Sequence, residues 1–347
     1  MGLLVLNVGS SSLKAALIQR SERLWSAAAE RRGPLTAQLQ AWLEPQLKPL
    51  WPQIQAAGHR VVHGGERFTA ATPVNPEVLR ELEALNPLAP LHNPLALEAI
   101  RWLVALRPAL PQWACFDTAF HATLPPEART YALPASWRPP GVRRYGFHGL
   151  NHQHLAEAAP CPRLISAHLG AGCSLAAIRD GISIDTTMGF TPLEGLVMAS
   201  RSGSVDPGLL LHLQRQGLSL EQLERGLQQG SGLLGLSGLS GDWRELRQAA
   251  ASGHSGAQLA LAVFLHQLRK GIGAMAASLG GVDQIALSGG IGANDPQLLE
   301  ELQEEMAWLG PVRWRPFPAD EEGMIARLVR RAQLSGPADP AFGAAGG

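Results

Sequence analysis

The sequence predicts an α/β fold built by duplication, and three observations carry that reading. An apolar strand over residues 3–6 runs through Asn7-Val8-Gly9-Ser10-Ser11-Ser12 into a second apolar run over 13–18. A partial echo stands at Ala167-His168-Leu169-Gly170-Ala171-Gly172-Cys173-Ser174, again between apolar runs. Each strand meander is followed by segments of helical periodicity, and strands followed by helices, twice over, are the pattern of a repeated α/β unit.

Taken in order, the first half reads as strands at 3–6, 13–18 and 24–29, then a helix over 35–47. His59-Arg60-Val61-Val62-His63-Gly64-Gly65 is a short buried strand ending in a glycine turn. Helices over 76–85 and 93–106 each carry a cap or proline near the start. A short strand over 113–116 delivers Asp117 at its end, and Arg143-Arg144-Tyr145-Gly146-Phe147-His148-Gly149 introduces a helix near 152–159. The domain change falls near residue 148, giving domains 1–147 and 148–321. The second half opens with a strand over 163–168, the echo turn, another strand and the run 182–189. Helices follow over 207–216, 220–228, 241–251 and 256–279. A strand over 284–287 opens onto Ser288-Gly289-Gly290-Ile291-Gly292-Ala293-Asn294, and a helix starts at Pro296. A last helix begins near 321 and joins the first domain through residues 322–347, fraying into a tail from 336.

Composition bounds the function. A chain of 347 residues favours two domains, and 46% hydrophobic content suits a sizeable core. Lys plus Arg and Asp plus Glu both number 29, so no global field draws the protein to nucleic acid or membrane. Cys115, Cys161 and Cys173 make neither a disulfide framework nor a metal spacing, and fit a reducing, cytoplasmic compartment. Asn7 and Gly9 break the apolar opening run, which is neither a signal peptide nor a membrane span.

Several residues point to phosphate chemistry. The first turn can aim backbone N–H groups, hydroxyls and the Lys14 ammonium at one anion. It is not a P-loop, since no Gly-Lys-Ser/Thr closes it, and such turns are also ordinary hairpins. Arg60 lies between apolar residues and needs an anionic partner, substrate or salt bridge. Arg201 lies among small residues that permit close approach of a ligand, and two such arginines suit a doubly anionic substrate. Asp117 is a strand-end functional group or a helix cap. His148, His152 and His154 lack the Cys or carboxylate that would complete a metal set, and His148 is the most ligand-like. Glu321 and Glu322 are either metal ligands or helix-start acids.

Together these stretches resemble the acetokinase family, the acetate kinases within the sugar kinase, heat-shock chaperone and actin superfamily. The match is carried by 7–14, 58–66, Leu91-His92-Asn93-Pro94, 116–121, 145–149, 185–207, 236–244 and 288–294. The run Thr187-Met188-Gly189-Phe190-Thr191-Pro192-Leu193-Glu194-Gly195-Leu196 is the most specific. The resemblance implies two duplicated ribonuclease-H-like (actin-like ATPase) domains with a cleft between them, in a homodimer. It implies reversible phosphoryl transfer from ATP to acetate by in-line attack of the carboxylate, giving acetyl phosphate and ADP and feeding acetyl-CoA synthesis. Asn7 and Glu321 match the site for Mg²⁺, with Mn²⁺ as an alternative. Arg60 matches the acyl-substrate residue. Asp117 matches the active-site acid, and His148 and Arg201 the pair that stabilises the transition state. Lys14, His168, Leu169, Gly170, Ala171, Gly172, Asp242, Trp243, Arg244, Gly290, Ile291, Gly292, Ala293 and Asn294 match ATP-contacting positions. Val62, Leu91, Phe147 and Pro192 match the walls of the acyl methyl pocket.

Acetate is ionised near neutral pH, so Asp117 has no proton to remove in the forward direction, and orienting Arg60 or a metal-bound water is the better physical role. Two positions depart from the family pattern: Ala171 where Asn is usual and Ala293 where Glu is usual. The chain is also trimmed between 18 and 58 and between 309 and 316. Two alternatives stand beside acetate kinase chemistry: a propionate or butyrate kinase, and a weakly active nucleotide-binding sensor.

Overall fold

The computed structural model describes residues 1–9 and 12–335. Ser10 and Ser11 of the first turn, and the expected tail from 336, lie outside the described residues. The chain divides into two compact units: Met1–Ala119 with the chain from Asp320 onward, and Phe120–Ala319. The division comes earlier than residue 148, because 120–147 belongs with the second unit; Tyr145, for example, donates its backbone N–H to Gly189.

The first unit holds strands β1 (Gly2–Val8), β2 (Ser12–Gln19), β3 (Glu22–Glu30), β4 (Ile54–Val61), β5 (Thr72–Pro73) and β6 (Gln112–Phe116), in the order β3-β2-β1-β4-β6-β5. The meander β1–β3 is antiparallel, while β4 and β6 are added in parallel. In the second unit β7 (Arg163–Leu169), β8 (Cys173–Arg179), β9 (Ile182–Thr186), β10 (Gln284–Ser288) and β11 (Arg313–Pro316) are ordered β11-β10-β7-β8-β9. Again a meander is antiparallel and two strands are added in parallel. The duplication expected from two faint turn echoes is thus a repeat of topology, with β5 as an addition at one edge.

Each sheet is covered on both faces, as parallel strands require. In the first unit Leu4, Leu6 and Val8 of β1 pack with Leu13, Ala15 and Leu17 of β2 against Leu35, Leu39, Leu43 and Leu47. Burying each such leucine is worth roughly 1.5–3 kcal/mol. The four-residue leucine spacing is wider than an α-helical turn. The chain meets it with a π segment, Leu39–Leu43, between α-helical turns Leu35–Gln38 and Glu44–Leu47, which keeps all four leucines on the core. On the other face the helix Glu321–Ser335 lies so close to β4 that a Cβ at Gly58 would stand 2.7 Å from Ile325 Cγ2.

In the second unit the helix Gly149–Ala158 covers one face through Leu155 and Ala156, against Leu164, Ala176 and Ile178. The helix Ser255–Leu279 covers the other, where a Cβ at Gly271 would stand 2.9 Å from Leu175 Cδ1. Among the described residues no helix is long and apolar enough to cross a membrane.

Candidate functional site

In the first unit the chemistry gathers at the ends of β1, β4 and β6. Parallel pairing sets Arg60 beside Cys115, and Asp117 follows directly on β6 with its N–H donated to Val61. The Arg60 guanidinium donates from Nε (3.0 Å) and Nη2 (2.5 Å) to Asp117 Oδ2, and from Nη1 to Asn7 Oδ1 (3.2 Å). Asn7 in turn donates from Nδ2 to Glu321 Oε2 (2.9 Å) and Glu322 Oε1 (2.8 Å). Arg23 of β3 steadies the same helix start through Asp320 (2.7 Å) and Glu322 (3.6 Å). Burial by itself would lower the Arg60 pKa, but Asp117, Glu321 and Glu322 outweigh it and push the value up, so this cation is permanent.

Sequence reasoning placed Asn7, Arg60, Asp117 and Glu321 here separately, and the structure gathers all four into one network. Glu322, which the sequence left open between metal ligand and helix-start acid, is a full member of the network. The donors for a cation are all oxygen: the Asn7 amide and neighbouring carboxylates. That set suits a hard ion such as Mg²⁺. Among the described residues no three His, Cys, Asp or Glu side chains gather to hold a metal by themselves. Lys14 pairs with Asn7 across β1 and β2. Val62 is buried just beyond β4, whereas Leu91 is 42% exposed.

In the second unit His148 is the N-cap of the helix Gly149–Ala158 and holds a left-handed backbone, φ 55°. Its ring stacks on His168 with centroids 4.2 Å apart, and its Nδ1 lies 2.9 Å from Ser174 Oγ. Gly172 explains itself here. A Cβ at that position would stand 2.7 Å from Arg201 Nη2 and 3.1 Å from His148 Cε1 and Nε2. The arginine and the imidazole thus converge over bare backbone. Arg201 is anchored by Nη1 to the Pro192 carbonyl (2.6 Å).

The loop carrying Pro192 is itself pinned. Glu194 accepts from Arg144 Nη2 (2.6 Å) and Tyr131 Oη (2.7 Å), and Arg144 Nη1 also donates to the Thr186, Thr187 and Met188 carbonyls. Gly189 leaves the room that Glu194 and Tyr131 fill. Much of the specific 187–196 run therefore serves to place Arg201. Phe147 is buried, and its carbonyl lies 3.1 Å from His121 Nε2.

Beside these groups lies a cavity of about 470 Å³. Its walls are Gly170 and Ala171 of the β7–β8 turn, Ala199, the segment Gly241 to Arg244, and Gly290, Ile291 and Asn294 after β10. Small size is a steric necessity at Gly241 and Gly289 but not at Gly290. A Cβ at Gly241 would stand 2.8 Å from the Ala199 carbonyl, one at Gly289 would strike the Leu169 carbonyl, and one at Gly290 would meet nothing within 4 Å. Asp242 caps the helix Trp243–Ala251 and pairs with Arg244 at 2.8 Å; that hydrogen bond, with the other contacts, holds its carboxyl down at about 2. Trp243 turns its ring inward, with Nε1 on Asp295 and its face against Phe264.

Of the expected nucleotide positions, Gly170, Ala171, Asp242, Trp243, Arg244, Gly290, Ile291 and Asn294 line this cavity. Leu169 is core, and Gly292 lets Leu169 and Leu287 approach, a Cβ there lying 3.4 Å from each of theirs. His168 and Gly172 belong to the His148–Arg201 cluster, and Ala293 donates its N–H to Gly289. Ala199 and Gly241 were not singled out; their signals were small size and a place within the matched stretches 185–207 and 236–244.

The acetokinase family model matches residues 25–320. The chain is 46% identical to the acetate kinase of Synechococcus sp. over 355 residues, covering 89% of this chain and 88% of that protein. In three dimensions it is similar to the crystal structure of Porphyromonas gingivalis acetate kinase, with a TM-score of 0.84, 34% identity, and coverage of 94% of this chain and 98% of that one. It is equally similar to a propionate kinase from Francisella tularensis subsp. tularensis SCHU S4, with a TM-score of 0.85, 34% identity, and the same coverage.

Proposed function

The chain belongs to the acetokinase family, and on that premise we propose that it is an acetate kinase transferring the γ-phosphoryl group of ATP reversibly to acetate. A carboxylate oxygen forms the new O–P bond, the bond to the bridging oxygen breaks, and acetyl phosphate and ADP leave. The observation that carries this reading is the bare backbone of Gly172 beneath Arg201 and His148, next to a cavity walled by glycine and alanine. Phosphoryl transfer asks for positioning and charge neutralisation rather than covalent help. Donors aimed at the transferring group are worth on the order of 10²–10³ in rate each.

Arg60 is assigned to the acetate carboxylate. Asp117, accepting two of its N–H groups, supports an orienting role rather than a base. Asn7 and Glu321, with Glu322 beside them, would hold Mg²⁺, or Mn²⁺. When bound, that ion supplies charge neutralisation at the phosphate oxygens. Lys14 is assigned to the ATP phosphates and the 470 Å³ cavity to the nucleotide. The likeness to a propionate kinase keeps chain length open, since one methylene in an apolar pocket is worth only about 10–200-fold.

A homodimer is the expected assembly. The helices Pro207–Arg215 and Leu220–Gln229 bury no residue, yet present Leu209, Leu211 and Leu220 outward. This pair is the surface a second copy would cover. The three free cysteines support a reducing, cytoplasmic setting.

The deciding experiment measures ATP-dependent acyl phosphate formation with acetate, propionate and butyrate, with and without Mg²⁺. Acetate turning over fastest is expected. Turnover with none of the three would sink the enzyme reading.

A further inference from the structure

Behind His148 runs a buried line of hydrogen-bonding groups. His148 Nδ1 lies 2.9 Å from Ser174 Oγ, Ser174 Oγ lies 2.8 Å from His152 Nε2, and His152 Nδ1 lies 2.7 Å from Ser166 Oγ. Ser166, His152 and Ser174 are wholly buried.

The direction of the line follows from its far end. Among the described residues, His152 Nδ1 is the single side-chain partner of the Ser166 hydroxyl. Leaving a buried O–H hydrogen unused costs about 1–3 kcal/mol, whereas a hydroxyl oxygen that donates can leave lone pairs idle more cheaply. Ser166 therefore donates to His152 Nδ1. Burial, and then the neighbouring His121 and His168, keep the His152 pKa well below its ordinary value. A neutral imidazole has one N–H, which must then sit on Nε2 and point to Ser174. The Ser174 hydrogen is left for His148 Nδ1, and the proton of a neutral His148 is left on Nε2. That is the edge over Gly172, shared with Arg201.

We propose that Ser166, His152 and Ser174 are positioning residues that fix His148 as the Nε2–H tautomer, so that it donates to the transferring phosphoryl group without becoming a cation. The proposal rests on the phosphoryl-transfer reading for its purpose, and on the hydrogen-bond order for its substance. A neutral donor has a clear advantage here. Against His148 stand the Arg201 guanidinium, the His168 ring on β7, Ser174 on β8 and His152 one turn along its own helix. An imidazolium would face a guanidinium directly, and a second cation would gain less than it loses until the anion arrives.

The test is nitrogen NMR of the full chain with ¹⁵N-labelled histidine, together with steady-state kinetics. The wild type is expected to show His148 with an unprotonated Nδ1 and a protonated Nε2 at neutral pH. Ser174→Ala is expected to populate the Nδ1–H form and to lower kcat about tenfold, while the KM for ATP moves less than about threefold. Ser166→Ala should shift the tautomer in the same direction by less. A wild-type His148 protonated on Nδ1 would overturn the proposal, as would a Ser174→Ala protein with unchanged tautomer and kcat. Should Ser174→Ala not fold, the wild-type spectrum and Ser166→Ala decide. Because the tautomer is read without turnover, a wild type that shows Nε2–H but makes no acyl phosphate would remove the kinase reading and leave the relay standing.

Discussion

The β1–β2 turn and the β7–β8 turn hold the same place in two sheets of the same strand order, yet they face opposite charge. In the first, Asn7 pairs across the strands with Lys14 and sits among Glu321, Glu322 and the Arg60–Asp117 pair. In the second, the matching position is His168, paired with Ser174, stacked on His148 and near Arg201. The turns differ in length too: Val8 and Leu13 bracket Gly9 to Ser12, whereas Leu169 and Cys173 bracket Gly170 to Gly172. One scaffold carries carboxylates and an amide around the first turn, and two imidazoles and a guanidinium over bare glycine around the second. Duplication fixes where the chain turns, and the residues flanking each turn decide the charge it meets.

The comparison is broken most severely by removing the cation from the acidic half. Arg60→Ala removes the guanidinium that Asp117, Glu321 and Glu322 face, and leaves Arg23 standing against Glu322 at 3.6 Å. A loss of about 3–5 kcal/mol is expected in urea unfolding, since a buried pair has been broken from one side, and acyl phosphate formation should disappear. If stability is retained within about 1 kcal/mol, the network carries no structural weight. On the other half, Gly172→Ala puts a methyl group where Arg201 and His148 converge. A displacement of about 1 Å predicts a fall in kcat of about 100-fold, with ATP binding by calorimetry largely kept.

Acid tests what the halves have in common. Burial, with smaller opposing hydrogen bonds in two cases, pushes His59, His63 and His121 down to about 4, and His152 goes the same way. Below about pH 6.5 the unfolded chain takes up protons that these folded rings refuse. The unfolded state then binds more protons, so stability falls as pH drops from about 6.5 towards 4. His59, His63 and His121 each contribute about 2 kcal/mol of loss at pH 5, and His152 adds to it in the same direction. Melting temperatures at pH 7.5 and 5 check this, and no drop would mean the rings are charged in the fold. The mildest change sharpens the anion half: Ala171→Asn adds an amide at the wall of the cavity, and a fall in the KM for ATP of about three- to tenfold is expected from one added hydrogen bond.

Much of this was legible in the chain before any coordinates. The first meander, the helix Asn93–Leu106 and the returning helix Glu321–Ser335 all follow from apolar periodicity and caps. What was not legible depends on distance in sequence. β11 reads Arg313-Trp314-Arg315-Pro316, a charged run ending in proline, and becomes a strand only because β10 offers it a parallel edge. The π segment hides inside an ordinary helical pattern. Glu322 looks like any helix-start acid until Asn7, 315 positions away, donates to it. Gly172 was legible as a turn glycine, but its reason is His148 and Arg201, brought in from separate loops. Arg60 was read as needing an anionic partner, and parallel register brings Asp117 to it as one.

The bond from Asn7 to Glu321 joins residues 314 positions apart. Ribosomes make proteins from the amino end, so Asn7, Arg60 and Asp117 emerge long before their acidic partners. Until the segment from Asp320 is made, Arg60 has only Asp117 to balance it, and the groove on β4 that Gly58 keeps open for Ile325 stays bare. A chain stopped before that point would lack both acceptors of the Asn7 amide and the helix that covers β4, so sequence order leaves the first sheet's polar network and its second face to be closed last.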